Sequence, residues 1–159
     1  MSSSRPDTAA TNRDVDPWGN IRKFIEARNA KTYDKLLLDG RISNADVRDD
    51  YGQSGLHWIP YKSSNEEIDT DILISYLLTC DPPADVNGRN IGGDTPMWAA
   101  AYYNNTSAVK VLIDFGGDRT IKTNSDNFSY PNTTPLDIAK KRNNQETIEL
   151  LTECFPSEE

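Results

Sequence analysis

The segment GDTPMWAAA, Gly93 to Ala101, has a weaker copy before it and another after it, and this self-similarity constrains the fold more than any single residue does. The earlier copy reads GQSGLHWIP from Gly52 to Pro60, and the later one reads NTTPLDIAK from Asn132 to Lys140. Each leads through a polar gap into an apolar run that ends in an aliphatic pair: Leu77-Leu78, Leu112-Ile113 and Leu150-Leu151. A period of a few tens of residues marks units too small to bury a hydrophobic face alone, which become stable only by stacking.

The repeated motif has the chemistry of a helix start. Thr95-Pro96 and Thr134-Pro135 put a capping hydroxyl at the N-cap and a proline at the first helical position, where its missing N–H does no harm. Ala99, Ala100 and Ala101 let neighbouring helices approach closely. Asn104-Asn105 and Asn143-Asn144 suit a left-handed chain turn, which asparagine tolerates better than most residues, and Gly116 suits a helix stop.

In this order the residues resemble the ankyrin repeat. TPMWAAA and TPLDIAK stand for its opening helix, LIDFGGDRT (Leu112 to Thr120) is similar to its "LLxxGAD" ending, and ADVN at Ala84 to Asn87 matches outright. The family period is about 33 residues, whereas Gly93 follows Gly52 by 41 and Pro135 follows Pro96 by 39. The surplus falls near Ser63 to Ile68, at Asp81 to Pro83 and between Thr123 and Pro131, all connectors where lengthening is cheap.

The resemblance covers roughly 18–155. It implies an all-α solenoid of about four helix-turn-helix repeats (18–48, 49–89, 90–122, 123–155) joined by β-hairpin-like loops, between a disordered arm at 1–17 and a tail at 156–159. The first repeat, with amphipathic stretches Ile21 to Asn29 and Lys31 to Gly40, reads as a cap. Three departures stand out. Gly55 replaces the expected proline, Trp98 and Asp137 fill the slot where His57 matches the family, and Pro60 replaces an alanine, where it should shorten or distort its helix.

Composition excludes several function classes. With 36% hydrophobic and 26% charged residues in 159, the chain reads as one globular domain. No apolar run approaches the roughly 18 residues of a membrane span. A formal net charge of −8 argues against nucleic acid, whose binding needs clustered cations, and favours a basic partner protein. Cys80 and Cys154 occupy equivalent positions in non-adjacent repeats. Helices pack about 8–10 Å apart and a disulfide tolerates a Cα separation of about 7 Å, so both should be thiols in an intracellular, cytoplasmic or nuclear, protein. His57 sits in the family's structural slot, the metal-ligating residue types are scattered, and the Gly92-Gly93 pair lacks a phosphate-loop lysine. No catalytic residue, metal or cofactor is therefore expected.

What remains is a surface. The resemblance implies binding through the loop tips and the exposed face of the first helices. Carried over position by position, the tips supply Asp50, Tyr51, Gln53, Arg89, Ile91 and Asp94, and the helices supply Tyr61, Lys62, Tyr102 and Tyr103. Tyrosine and arginine are common interface anchors. Trp58 and Trp98, one turn earlier, should be buried between repeats. The insertion Thr123 to Pro131 is rich in turn formers and predicts an extended hairpin finger without helix. The expected function is that of a monomeric interaction module, an adaptor or scaffold without catalysis. The alternative is a stoichiometric inhibitor of an enzyme or transcription factor.

Overall fold

A computed structural model describes residues 45–63 and 70–153 of the chain. The N-terminal arm, the capping stretches Ile21 to Asn29 and Lys31 to Gly40, nearly all of the Ser63 to Ile68 insertion, and Cys154 lie outside them. Among the described residues there are six helices and no strand: α1 (Gly55–Ser63), α2 (Thr70–Leu78), α3 (Pro96–Tyr102), α4 (Thr106–Asp114), α5 (Pro135–Lys141) and α6 (Gln145–Glu153).

The helix starts follow from their caps. The Thr95 hydroxyl accepts from the Trp98 amide at 3.1 Å, ahead of Pro96. Thr134 and Asp137 form a reciprocal capping box: the Asp137 amide donates to the Thr134 hydroxyl and the Thr134 amide to the Asp137 carboxylate. Asn105 caps α4 by accepting from the Ala108 amide. After α3 and α5 the chain reverses at Asn104 (φ 54°) and Asn143 (φ 59°), which take up the left-handed conformation that their sequence position called for.

The shortening expected at Pro60 is absent: α1 runs nine residues through it while α3 and α5 have seven each. The proline removes one backbone donor, but Leu56 and Ile59 on the same helix are fully buried, and packing rather than propensity supplies most helix stability.

First helices α1, α3 and α5 stack in one row and second helices α2, α4 and α6 in another, with each pair also packed across the rows. The core between them holds Leu56, Leu73, Leu77, Met97, Leu112 and Ile138, all fully buried. Ala100 and Ala101, also sealed, allow the close approach within the first row.

The loop tips recur in register. Each is closed by a backbone bond, Asp49 to Gln53 (3.0 Å), Asn90 to Asp94 (3.0 Å) and Thr123 to Thr133 (2.9 Å), and each turns through a positive φ at Gly52, Gly93 or Asn132. The third bond spans ten residues where the others span four, so six residues are inserted there. Neighbouring tips are tied by Ile91 N–H to the Tyr51 carbonyl (2.9 Å) and Asn124 N–H to the Gly92 carbonyl (3.0 Å). Two arginines at equivalent positions add to this. Arg48 donates to the carbonyls of Gly52 and Arg89, and Arg89 donates to that of Lys122.

The inserted loop contains no helix. It does not extend as a finger but folds back onto the first-helix row. The Asn127 amide donates to the Gly92 carbonyl (2.9 Å) and to Asp94 (3.1 Å), and the Tyr130 carbonyl accepts from the hydroxyls of Thr123 and Thr133. Phe128 is left fully exposed on the outer side.

Candidate functional site

The site grows out of the motif slot held by His57, Trp98 and Asp137. The amide of Ser54 donates to Nδ1 of His57 at 3.0 Å, so the ring proton is on Nε2, which donates to the Asp94 carbonyl at 2.9 Å. Burial holds the imidazole neutral by lowering its pKa to about 4. Trp98 reaches the next tip in the same way, its indole N–H donating to the Thr133 hydroxyl at 3.0 Å. Asp137 turns back to its own cap instead.

Around these braces six aromatic rings form a continuous belt. Tyr102 lies stacked on Trp98 at 5.5 Å, and Tyr130 from the inserted loop meets both, at 5.8 Å from Trp98 and 5.9 Å from Tyr102. Tyr103 stands edge-on to Tyr102 at 4.9 Å and touches Tyr61 at 5.2 Å, which meets Trp58 at 5.4 Å. Offset and edge-to-face contacts at these spacings are favourable for aromatic pairs. The belt walls a cavity of about 330 Å³, in which Ala99 and the polar side chains of Gln53, His57, Asp94 and Asn127 also take part. Ala99 occupies on α3 the place that Trp58 holds on α1, and its small side chain leaves the hollow open.

Asp94 is the carboxylate of this cavity. Asn90 donates to its Oδ2 at 3.2 Å and Asn127 to its Oδ1 at 3.1 Å. Burial raises its pKa, and the two amides oppose that rise. Among the described residues no cation lies within ion-pair distance of it. Burial also raises the Tyr103 pKa, helped by the neighbouring hydroxyls of Tyr102 and Tyr61. Arg142 is outside the cavity lining and lies over the Tyr102 ring, 3.9 Å from its centroid, while its Nε donates to the Tyr102 carbonyl at 2.8 Å.

Five residues singled out from sequence meet here: Gln53, Tyr61, Asp94, Tyr102 and Tyr103. Tyr51 is exposed at its tip and does not line the cavity, and neither does the equally exposed Ile91. Arg89 has its guanidinium engaged by Lys122 and Asn124. The Lys62 side chain lies outside the described residues. Trp98 is buried, as its position implied, yet it also walls the cavity, while Trp58 is only half-buried. Sequence reasoning did not place Tyr130 or Asn127 in the site. Their only signal was a loop of turn formers carrying two aromatics, which does not say where the loop lands.

Both His57 nitrogens are occupied by hydrogen bonds, and among the described residues no cluster of three histidine, cysteine or acidic side chains could hold a metal. No helix of the described residues is long and apolar enough to cross a membrane.

Comparison with known proteins agrees with this architecture. The chain is 35% identical over 72 residues to a protein of Rickettsia bellii (strain RML369-C) described as an ankyrin repeat protein, covering 45% of this chain and 39% of that one. It is 34% identical over 67 residues to alpha-latrotoxin-Lh1a of Latrodectus hasselti, covering 42% of this chain and 4% of the toxin. It is 25% identical over 119 residues to the 26S proteasome non-ATPase regulatory subunit 10 of Dictyostelium discoideum, covering 74% of this chain and 45% of that subunit. The chain thus spans less than half the length of each of these relatives. A family model of ankyrin repeats in three copies matches residues 65–158, more than half of the chain, and the protein belongs to the ankyrin-repeat family, whose repeats generally mediate protein–protein interaction.

Proposed function

We propose that this chain captures a partner protein on its first-helix row, with the aromatic cavity as the anchor point and the loop tips as its rim. The observation that carries this reading is the belt of six rings around a hollow of about 330 Å³, because aromatic anchors in well-packed pockets dominate the energetics of protein interfaces. Gln53, Tyr61, Asp94, Tyr102 and Tyr103 act inside the hollow. Tyr51, Lys62 and Arg89 act at the rim, Arg89 mainly by holding its tip in place. The net charge of −8 favours a basic partner and speeds encounter with it. The functional unit is residues 18–155, acting as a monomer inside the cell.

The test is the double substitution Tyr61→Ala with Tyr103→Ala, which opens one wall while leaving Tyr102 to brace Trp98 and Tyr130. Loss of a hot spot worth about 2 kcal/mol corresponds to a roughly thirtyfold weaker complex. Partner retained from cell lysate, quantified by mass spectrometry, should fall at least that far while circular dichroism stays unchanged. A folded double variant that retains its partner at parental strength would place the binding face elsewhere.

A further inference from the structure

We infer that the aromatic cavity is a receptor for the methylated ammonium group of a lysine side chain on the partner protein. This rests on the interaction reading above and names the chemistry that the hollow selects.

Two features of the cavity favour a cation. Its lining includes the rings of Trp58, Tyr61, Trp98, Tyr102, Tyr103 and Tyr130, and an aromatic face attracts positive charge. Its polar corner is the Asp94 carboxylate, fixed by Asn90 and Asn127 and with no ion-pair partner among the described residues. Partial burial raises its pKa against the two amides, and an incoming positive charge would offset that cost. Nothing in the lining competes for the role of cation, because His57 is buried and neutral. Tyr102 already receives one cation on its ring, the Arg142 guanidinium at 3.9 Å, from outside the cavity.

The same lining selects among cations. An unmethylated ammonium brings three N–H donors and a guanidinium five, whereas each Asp94 oxygen already accepts one amide donor and both His57 nitrogens are bonded. Donors buried without acceptors are costly. Each methyl group removes one donor, weakens hydration of the charge and adds apolar surface that meets a ring. The volume agrees, since about 330 Å³ is at the small end of the roughly 300–1,000 Å³ of ligand pockets. It suits a head group and its stem rather than a whole cofactor.

The experiment uses the full chain and three small probes: N-acetyl-trimethyl-lysine methylamide, its neutral carbon isostere in which a tert-butyl group replaces the trimethylammonium, and N-acetyl-lysine methylamide. Binding is read from the indole N–H resonances of Trp58 and Trp98 by NMR titration. The quaternary probe should shift both indoles saturably, and the neutral isostere and the unmethylated probe should each bind at least tenfold more weakly. Asp94→Asn, which keeps the shape of the corner and removes its charge, should weaken the quaternary probe at least fivefold, and Tyr103→Leu should do so as well. Equal binding of the neutral isostere or of the unmethylated probe overturns the proposal, as does the absence of a saturable shift at the indoles. If the probes fail while the Tyr61→Ala, Tyr103→Ala variant still loses its protein partner, the cation chemistry is wrong and the interaction surface stands. If that variant also keeps its partner, both fall.

Discussion

The Nε2–H of His57 donates to the backbone carbonyl of Asp94 at 2.9 Å, so the side chain that pins α1 to the next loop tip also fixes the backbone beneath the carboxylate of the aromatic cavity. Frame and site therefore share one residue. Trp98 repeats the arrangement one unit later through Thr133, whose hydroxyl in turn donates to the Tyr130 carbonyl at 3.0 Å. The Asp94 corner, Trp98 and Tyr130 are in this way positioned by bonds that also tie neighbouring repeats together.

The neutral state of His57 makes stability depend on pH. Its pKa falls from 6.5 to about 4 on folding, so protonation favours the unfolded chain. The contribution is complete above pH 6.5 and is lost as pH falls towards 4, by about 1.4 kcal/mol per unit and about 3 kcal/mol in all. Urea midpoints measured from pH 7 to pH 4 should drop less steeply for His57→Gln than for the parent. Parallel slopes would show that the ring is not buried neutral.

Gly93 and Gly116 both have positive φ, 84° and 86°, but only one is crowded. A Cβ at Gly93 would lie 2.6 Å from the Asn124 amide nitrogen, whereas one at Gly116 meets nothing within 4 Å. Gly116→Ala should therefore lose only the left-handed strain, roughly 1–2 kcal/mol, and Gly93→Ala at least twice as much. Equal losses on thermal unfolding would contradict the tight seating of adjacent tips.

The two chain-reversing asparagines should respond differently to glycine. Asn143 is exposed at φ 59°, so Asn143→Gly relieves strain and should leave the melting temperature unchanged or higher. Asn104 accepts a hydrogen bond from the Thr147 hydroxyl at 2.7 Å. Its replacement by glycine should cost about 1 kcal/mol net. The reverse order in a differential scanning experiment would rule out the side-chain contact as the reason for asparagine there.

Ending the chain after Thr120 removes α5 and α6 and strips the open faces of α3 and α4. Met97, Trp98 and Leu112 lose their neighbours, and Arg119 loses its bond to the Leu151 carbonyl at 3.1 Å. In a stacked array stability comes from neighbouring interfaces, so residues 1–120 should melt well below the full chain. An unchanged melting temperature would mean that the repeats do not support one another.

The sequence by itself determined what local chemistry controls. Thr95-Pro96 and Thr134-Pro135 had to start helices because a hydroxyl and a proline satisfy or remove N-terminal donors, and Asn104 and Asn143 had to turn the chain because few other residues tolerate a positive φ. The spacing of these signals gave the repeat and hence the two rows of helices. Tertiary structure decided what depends on long-range placement. Pro60 stays inside α1 because burial of Leu56 and Ile59 outweighs one missing bond, Arg89 is held by the following tip, and Asn127 and Tyr130 fold back to close the aromatic belt. A run of turn formers fixes that a loop bends but not where it lands, since the landing is set by partners such as Gly92, Asp94 and Trp98 more than thirty residues away.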